Sequence, residues 1–598
     1  MKFLRIRVSA KDSRILRQLP AKNDRDRFQR RLRFAALLIA STFVTNATAA
    51  TYFIDYASGS NANNGTATNT PWKFAPGMNG FAGSYTHAAG DRFIFKGGTT
   101  WPTNIAVWNI TSSGTLGTND YYGVDTNWFS GASWSRPVFD GGSQYPIPRS
   151  WTHGYWVISG SYITMDSLTL QNIGVAGTNQ GNYAIKISGH DITVENMKLA
   201  VQSRIAFMLN FTGGNNYTFR SNDISKCSWG IGGGPAVGVS VTNIFIYGNS
   251  FHDFHDQMAN DAHGDGIYIY SSVTNLNTYC DNVRIYNNSF YGDFSKADAS
   301  ATGMSAFIWP SAQAAGSSYI YNNVMTYDKN GGGVANAISV GGAPGGTGTA
   351  YILNNSFCAD KHSYYFVGSG NMSNLIALNN VAVGNSAIYA MAYPQSPVGK
   401  LQSDFNDYFG QNSAIFNHSH DDFKSHTGPV SSIAVRTAGT GYTNGTTVYI
   451  EPNYGMGALA EVTSVDGSGG VTALTLTSSG WGFIHNWPGT TSVKTGKGSG
   501  LTVAAIVSEK EEFELHGISN NPFFASNDDL RVHADSPIMG AGTNLTKLAA
   551  TLGITELTKD FLGRLRPATD AWDIGAYADP VGDTNSALLP PKGLQIRE

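Results

Sequence analysis

The sequence predicts an all-β chain folded as a right-handed parallel β-helix with three short strands per turn, and a small all-β repeat module inserted near the C-terminal end. A phrase of alternating apolar residues followed by Asn, or a near equivalent, recurs with anchors at Asp166, Asn196, Asn222, Asn249, Asn288, Asn323, Asn355 and Asn380. The anchors lie 30, 26, 27, 39, 35, 32 and 25 residues apart, a period that indicates a solenoid. The 69 glycines and the lack of any long period of 3.6 residues after the N-terminal segment disfavour helical repeats.

Each repeat is predicted to contain two strands joined at an Asn corner and a third strand before them. Around Asn288, Val283 and Ile285 alternate with polar residues, as in a half-buried strand, and Phe290 returns to the core after the corner. We expect Asn288 to adopt the left-handed conformation that turns the chain, and stacked Asn side chains to hydrogen-bond along the axis. Residues 266–269 are one example of the preceding strand.

The N-terminal segment, residues 1–49, is predicted to be an export signal with a long basic leader. Its apolar stretch, residues 34–44, is too short to span a bilayer and is followed by small residues at 47–49. The segment holds 12 of the 39 Lys and Arg residues and 3 of the 42 acidic residues, which leaves 27 against 39, a net charge of −12. This acidity argues against a nucleic-acid partner. We expect a secreted or periplasmic protein without a membrane span, and predict no particular oligomeric state.

The chain after residue 49 divides into four parts by composition. Residues 50–430 are predicted to form an N-terminal cap and the β-helix, with the helix proper from about residue 150 to about residue 410. Residues 431–508 hold two copies of a Gly-x-Gly-aromatic β-unit, residues 509–580 C-terminal turns and a cap, and residues 581–598 a tail. In the inserted module, Tyr442, Trp481 and Trp487 either stack on sugar rings or pack within the strands. The widely spaced Cys227, Cys280 and Cys358 are expected to be buried small residues.

Several motifs resemble those of secreted bacterial β-helix proteins of the pectate-lyase-like superfamily. They are the opening residues 55–61 with Asn64-Gly65 and Pro71-Trp72, the Asn-Asn-Ser-Phe turns, and the closing residues 521–524, Ser536-Pro537 and 573–577. The resemblance covers nearly the whole chain after the signal except residues 431–508. It implies the parallel β-helix and, more weakly, activity on polysaccharides. The superfamily includes lyases, glycoside hydrolases, epimerases, esterases and non-catalytic adhesins, so the fold alone does not select one activity.

The densest group of candidate functional residues is segment 252–266, in the longest turn. It holds His252, His255 and His263 together with Asp253, Asp256, Asp261 and Asp265. His263 and Asp265 lie just before a predicted strand, two residues apart, so both are expected to project to the same face. We expect Gly264 and Gly266 to let the backbone approach a ligand. Asp253 is expected to be architectural, because Asp293, Asp328 and Asp360 recur at similar places in later turns. The alternative for the whole loop is a solvated corner in which Asp caps turns.

The predicted register brings residues of neighbouring turns beside Asp265 in one groove. Arg204 and Lys296 are the basic candidates, and the substrate-binding candidates are Trp229, Trp309, Asn336, His362 and Tyr364. Ser305 is predicted to enter the equivalent strand as well. Since stacked turns lie about 4.8 Å apart, several turns can contact two or three sugar units. The aromatic residues could instead pack outward under a loop.

These groups suit a polysaccharide lyase that cleaves a uronate-containing chain by β-elimination. His263 or Lys296 would remove the proton beside the uronate carboxylate, and Arg204 would neutralise that carboxylate. Asp261 and Asp265 could bind Ca²⁺ through oxygen ligands. A glycoside hydrolase would instead use Asp265 with Asp261 or Asp256 as its carboxylate pair.

Two further hypotheses remain at this point. The three histidines His252, His255 and His263 could in composition form a zinc site, although their spacing matches no familiar motif. A non-catalytic surface protein would use the groove and the inserted module only to bind glycans. The acidity of the chain favours a hydrolase or Ca²⁺ assistance, whereas the recurring Lys residues and the resemblance favour a lyase.

Overall fold

Three long sheets, which we name A, B and C, form the body of the protein. The structure is a computed structural model and describes residues 48–102, 107–144, 154–174, 183–201, 205–254, 264–271, 275–294, 304–311, 315–326, 334–341, 346–359, 364–368, 374–384, 389–392, 400–410, 414–415, 418–419, 427–428, 430–451, 456–481, 483–484, 488–507 and 516–578. Residues 50–598 form one compact unit. The predicted export signal lies almost entirely outside the described residues.

The sheets contain 12, 12 and 11 strands. Sheet A contains Thr51–Ile54, Arg92–Gly97, Asp120–Phe129, Ile163–Asp166, Ile192–Glu195, Tyr217–Arg220, Ser240–Tyr247, Tyr279–Tyr286, Ser317–Tyr321, Thr349–Leu353, Asn374–Leu378 and Lys400–Asp404. Sheet B contains Trp108–Ile110, Gly154–Ile158, Tyr183–Ile187, Ile205–Phe211, Trp229–Pro235, Asp265–Tyr270, Met304–Ser311, Val334–Val340, Tyr364–Gly368, Tyr389–Ala392, Ala414–Ile415 and His418–Ser419. Sheet C contains Thr100–Trp101, Val138–Gln144, Thr169–Ile173, Lys198–Ala200, Asp223–Ser225, Ser250–His252, Ser289–Tyr291, Val324–Thr326, Ser356–Ala359, Val381–Gly384 and Asp407–Gly410.

Each turn passes through one strand of sheet B, one of sheet A and one of sheet C, as in Tyr183–Ile187, Ile192–Glu195 and Lys198–Ala200. Strands pair in parallel with their counterparts one turn before and one turn after, apart from an antiparallel last pair in sheet B. Parallel strands connected in this way wind right-handedly. The predicted right-handed parallel β-helix with an inserted all-β module is confirmed, and it is the architecture that the superfamily resemblance implied.

The first turns are filled by aromatic rings. Trp72, Trp101, Trp108 and Trp156 are at most 1% exposed, and Trp101 stacks on Phe139 with ring centres 4.8 Å apart. Strands of all three sheets are already present before residue 111. The prediction that the helix proper starts near residue 150 was therefore wrong, because the early turns bury large rings and lack the Asn corner that marks later turns.

A ladder of buried Asn side chains runs along the corner between sheets A and C. Its members are Asn222, Asn249, Asn288, Asn323, Asn355, Asn380 and Asn406. Each of the first six donates from Nδ2 to Oδ1 of the next member over 2.9–3.0 Å, and its backbone N–H donates to the same oxygen over 2.8–3.1 Å. The predicted hydrogen bonding along the axis is confirmed. A buried amide satisfied in this way avoids the cost of an unpaired polar group.

The ladder residue is not the residue that turns the chain. The left-handed conformation, with φ between 50° and 64°, belongs to the preceding position, which is occupied by Ser167, Asn196, Ser221, Gly248, Asn287, Asn322, Asn354, Asn379 and Phe405. The expectation that Asn288 turns the chain was wrong by one residue. The anchors at Asp166 and Asn196 were also misaligned, since Leu168 and Met197 occupy the ladder position in those turns.

The first Asn of each late Asn-Asn pair holds the C-terminal segment, residues 516–578, against the helix. Asn322 donates to the carbonyl of Lys559 over 2.7 Å, and Asn354 donates to the carbonyl of Gly575 over 3.0 Å. Asn379 exchanges two hydrogen bonds of 2.8 Å with the backbone of Thr543. The two members of a pair thus have different tasks, one inside the helix and one outside.

The C-terminal segment also covers apolar surface. Its α-helix, Thr546–Leu552, is followed by a 3-10 turn, Thr555–Thr558, and a short antiparallel pair, Phe524–Ser526 with Asp529–Val532. Leu545 and Ala549 pack on the outer face of sheet A beside Tyr321 and Leu353. Other residues of the segment cover the late strands of sheet C. These contacts remove both surfaces from water near the late turns.

A second, partly exposed ladder lies at the corner between sheets B and A. Asn216 donates to Asp191, Asn243 to Asn216 and Asn282 to Asn243, each over 2.7 Å. All four residues have positive φ, between 49° and 68°. Asx side chains tolerate this conformation, so the same residue turns the chain and joins adjacent turns.

The inserted module is a six-stranded antiparallel sheet. Its strands are Val430–Thr440, Thr447–Glu451, Met456–Val465, Val471–Trp481, Pro488–Thr495 and Ser499–Val507, and a short pair joins Thr427–Gly428 to Phe483–Ile484. Tyr442 is 2% exposed and belongs to the module core, so the packing alternative is confirmed for this residue. The side chains of Trp481 and Trp487 lie outside the described residues.

The three cysteines are free and buried, as expected for small core residues. In the part of the chain that the structure describes, no helix is both long and apolar enough to cross a membrane.

Candidate functional site

The outer face of sheet B carries a cluster of aromatic side chains. Strand residues there alternate between buried and half-buried, so the half-buried Lys186, Met208, Tyr268 and Trp309 face outward. They lie in one line along the axis, because Lys186 pairs with Met208, Met208 with Gly232, Gly232 with Tyr268 and Tyr268 with Trp309. We name this line the outer row.

A second line, which we name the entry row, lies where the chain enters each strand of sheet B. It runs through Tyr183, Ile205, Trp229, Asp265, Ala306, Asn336 and Tyr364. The register therefore places the predicted Trp229, Asp265, Asn336 and Tyr364 in one row. It corrects three positions, since Ile205 rather than Arg204, Ala306 rather than Ser305, and Tyr364 rather than His362 occupy the row.

The two rows are packed together by aromatic contacts. Trp229 meets Tyr268 edge to face with ring centres 5.0 Å apart, and Tyr268 lies 4.9 Å from Trp309 and 5.3 Å from Tyr270. Tyr183, Ile205 and Trp229 are nearly buried, whereas the rings of the outer row are half-buried. Burial raises the pKa of Tyr270, so its phenol stays neutral at ordinary pH. The result is an apolar strip with polar edges, the kind of surface that the CH faces of sugar rings pack on.

Asp265 is fully buried at the start of its strand. Its backbone N–H donates to the carbonyl of Ser228 over 3.0 Å, and the carbonyl of Gly264 accepts from Ser305 over 2.8 Å. The side chain therefore sits between turns rather than open to solvent. A carboxylate in this position can orient or bind a neighbouring group, while direct contact with a polymer requires it to become exposed.

Gly266 is required by the core and not by a ligand. A Cβ at this position would lie 2.4 Å from the ring of Phe290 and 2.5 Å from the carbonyl oxygen of Phe307. Gly230, one turn earlier, faces Phe251 in the same way. The expectation that Gly266 lets the backbone approach a ligand was therefore wrong.

His252 belongs to the outer face of sheet C. Its Nδ1 lies 2.7 Å from Oδ2 of Asp253, its Nε2 lies 2.7 Å from Oδ1 of Asp223, and its ring stacks on Tyr291. Burial disfavours the charged imidazole, but the two carboxylates outweigh it and raise the pKa of His252; the same contact lowers the pKa of Asp223 although burial opposes it. With both ring nitrogens engaged, His252 has no nitrogen left for a zinc ion. We name Asp223, His252 and Asp253 the carboxylate–imidazole cluster.

Asp253 is architectural, as predicted. It has a φ of 52°, and its Oδ1 accepts the backbone N–H of Asp293 on the next turn over 3.1 Å. The recurring Asp328 and Asp360 lie outside the described residues.

Most of the charged candidates also lie outside the described residues. These are Arg204, His255, Asp256, Asp261, His263, Lys296 and His362, together with the side chain of Tyr364. In the sequence, Arg204 immediately precedes Ile205, His263 precedes Asp265 by two residues, and Lys296 precedes Met304 by eight.

The fit to a metal ion is partial. Among residues that the structure describes, no group of three or more His, Cys, Asp or Glu side chains is arranged to hold one. Asp265 is the one described member of the predicted Ca²⁺ pair, and a buried carboxylate is a suitable oxygen ligand.

Comparisons with known proteins yielded only distant structural similarities. No family model matches the chain, and no curated protein matches its sequence. Among solved structures, a rhamnogalacturonan lyase is 13% identical with a TM-score of 0.38 and covers 61% of this chain and 89% of its own. The pectate lyase Pel9A is 15% identical with a TM-score of 0.38 and covers 90% and 98%. A GH136 lacto-N-biosidase from Eubacterium ramulus is 14% identical with a TM-score of 0.35 and covers 61% and 67%. The assignment of the fold rests on the strand pairings.

Proposed function

We propose that the protein is an exported, carbohydrate-active β-helix protein that binds a polysaccharide along the outer row of sheet B and cleaves it as a lyase. The observation that carries this proposal is the half-buried aromatic strip formed by Tyr268, Tyr270 and Trp309 beside the entry row. Turns stack about 4.8 Å apart, which is close to the rise of one sugar unit in an extended chain, so successive turns can contact successive units. The superfamily resemblance and the polysaccharide lyases among the distant structural neighbours agree with a saccharide ligand.

The chemistry that we assign is β-elimination from a uronate unit. His263, or Lys296 on the next turn, would take the proton from C5, the electron pair would form the C4–C5 double bond, and the bond from C4 to the bridging oxygen would break. The departing oxygen takes a proton from an acid or from water. Arg204 would neutralise the uronate carboxylate and stabilise the enolate that develops next to it.

The buried Asp265 favours a lyase over a hydrolase. A hydrolase needs two carboxyl groups that both reach the glycosidic bond. In the described part of the entry row Asp265 is the only carboxylate, and it is fully buried. A buried carboxylate suits a supporting role, either orienting His263 or, with Asp261, holding a Ca²⁺ ion that would supply positive charge for the uronate.

An assay with polygalacturonate, alginate and a neutral glucan, each with and without EDTA, tests the proposal. We expect ultraviolet absorbance from the conjugated unsaturated uronate with one of the acidic polymers. His263→Ala, Lys296→Ala and Arg204→Ala should each reduce the rate by about 10²-fold or more if they act in proton transfer or charge neutralisation. Lys497→Ala, an exposed Lys in the inserted module, is the matched control and should keep full activity.

Other outcomes would contradict the lyase assignment. Reducing ends without new ultraviolet absorbance would identify a hydrolase, and binding without either product would identify a glycan-binding surface protein. Trp309→Ala tests substrate binding on sheet B apart from the bond cleavage. It should raise KM by about tenfold while leaving thermal stability nearly unchanged. Export is tested by mass spectrometry of the secreted chain, with Ala50 expected as its first residue.

A further inference from the structure

A second concave site lies between the outer face of sheet A and the C-terminal segment. It is a half-open cavity of about 540 Å³, within the size range of small-molecule sites. One wall is formed by three consecutive turns, in which Tyr351, Ile376 and Gln402 pair in one line along the axis. The opposite wall belongs to the C-terminal segment and includes His516 and Leu548.

The cavity combines aromatic faces with hydrogen-bonding groups. His516 stacks on Phe405 with ring centres 4.4 Å apart and an angle of 6° between the rings. Asp404 fixes this arrangement, because its two carboxylate oxygens contact the backbone N–H of His516 over 2.7 Å and Nδ1 of the same residue over 2.8 Å. On the first wall, Tyr351 stacks on Tyr319 with ring centres 5.2 Å apart. Both aromatic surfaces are therefore held in place before any ligand arrives.

The polar groups select the chemistry of the ligand. The exposed amide of Gln402 and the half-buried amide of Asn374 can both donate and accept, while Ile376 and Leu548 provide apolar surface. No Lys or Arg lines the cavity among the described residues, whereas Asp404 does, so an anionic ligand is disfavoured. A wholly apolar ligand would remove water from the amides of Gln402 and Asn374 without replacing its hydrogen bonds.

We propose that this cavity is a binding site for a neutral saccharide of one or two sugar units, separate from the groove on sheet B. A sugar ring offers CH faces for the aromatic walls and hydroxyl groups that donate and accept for Gln402 and Asn374. The site does not depend on the proposed lyase activity. It would hold a neutral chain, or a neutral part of a mixed polysaccharide, on the face where the C-terminal segment is docked.

Calorimetric titration of the exported protein with cellotetraose and maltotetraose tests this site. We expect at least one of the two to bind. Leu548→Trp, which fills the cavity from the C-terminal helix, should weaken that binding at least about tenfold, and Gln402→Ala should weaken it severalfold. The matched control is Lys547→Trp, which puts the same ring on the neighbouring exposed position of the same helix and should leave affinity unchanged. Thermal unfolding confirms that each variant is folded.

Two results would overturn the proposal. One is that neither tetrasaccharide binds the wild-type protein; the other is that Leu548→Trp and Lys547→Trp bind equally well. Tetragalacturonate is the charged probe, and tighter binding of it than of the neutral probes at this cavity would contradict the neutral ligand. Trp309→Ala keeps the two proposals apart, because it impairs the sheet B groove and should leave cavity binding intact.

Discussion

The corner between sheets A and C and the outer face of sheet B are built from the same turns but satisfy opposite requirements. At the corner, buried Asn side chains bond to one another inside the helix, and the outer Asn residues of three pairs bond to the C-terminal segment. On sheet B, half-buried rings such as Tyr268 and Trp309 remain at the surface. The polar groups at the corner stabilise the fold, whereas the sheet B face leaves apolar surface available to a ligand.

The difference shows how a solenoid separates structure from function. The ladder repeats over seven consecutive turns, from Asn222 to Asn406, so removing an inner member disturbs two neighbouring turns that cannot replace it. A residue on the outer row contacts only a few rings, and its loss leaves the backbone pairing intact. Substitutions at the corner should therefore change stability, and substitutions on sheet B should change binding.

The largest effect is expected for the middle of the ladder. Asn323→Ala would remove the oxygen that accepts from Nδ2 and from the backbone N–H of Asn288. It would also remove the amide group that donates to the carbonyl of Ile285 and to Oδ1 of Asn355. Since these partners are buried, we expect a loss of about 3–5 kcal/mol in the free energy of unfolding, measured by urea denaturation with far-ultraviolet circular dichroism. Asn287→Gly, at the left-handed position one turn earlier, should change the same quantity by less than about 1 kcal/mol. Equal losses in the two variants would contradict separate roles for the ladder position and the left-handed position that precedes it.

Much of the fold could be predicted from sequence because the ladder leaves a periodic trace. Asn288, Asn323 and Asn355 recur with apolar neighbours, and the alternation around them defines strands. The sequence could not tell which Asn of a pair faces inward, since both members are polar and both positions tolerate Asn. It also missed the second ladder through Asn216 and Asn243, although the 27 residues between those two equal the 27 between Asn222 and Asn249.

A smaller effect is expected where the outer Asn residues bind the C-terminal segment. Asn354→Gly keeps the left-handed backbone but removes the hydrogen bonds to the carbonyls of Asp573 and Gly575. We expect a loss of about 1–2 kcal/mol, as for one or two hydrogen bonds. Hydrogen exchange of residues 543–578, measured by mass spectrometry, should become faster. Asn287→Gly is the control again, because in the described structure Asn287 makes no hydrogen bond to this segment. Unchanged exchange in Asn354→Gly would show that apolar packing alone holds the segment.

The docking of the C-terminal segment on the β-helix and the positions of the candidate sites were predictable only in part. The partners of Asn322 and Asn354 are more than 200 residues away in sequence, and no local pattern reports a contact of that range. The entry row was predictable in part because register follows from the repeat, which placed Trp229 and Asn336 in one row with Asp265. The burial of Asp265 was not predictable. A polar residue at the start of a strand is expected to be exposed, and only the contacts with neighbouring turns show that this one is buried. The cavity beside His516 arises from the docked segment and has no sequence signature.

The smallest effect is expected from the carboxylate–imidazole cluster, and its sign follows from the direction of the pKa shift. His252 has a raised pKa in the folded protein. Its contribution to the free energy of unfolding is therefore fully present below its unfolded pKa near 6.5 and is lost as pH rises through the higher folded value. The charged groups facing it are Asp223 and Asp253, with Lys198 3.6 Å from Asp223. Because Asp253 is partly exposed, the loss between pH 6 and pH 8.5 should be on the order of 0.5 kcal/mol. This loss is measured by urea denaturation of the wild type and of His252→Asn at both pH values. It equals the change, between the two pH values, in the difference between their free energies of unfolding. A difference that stays constant, or grows with pH, would contradict a charged His252 held by the two carboxylates.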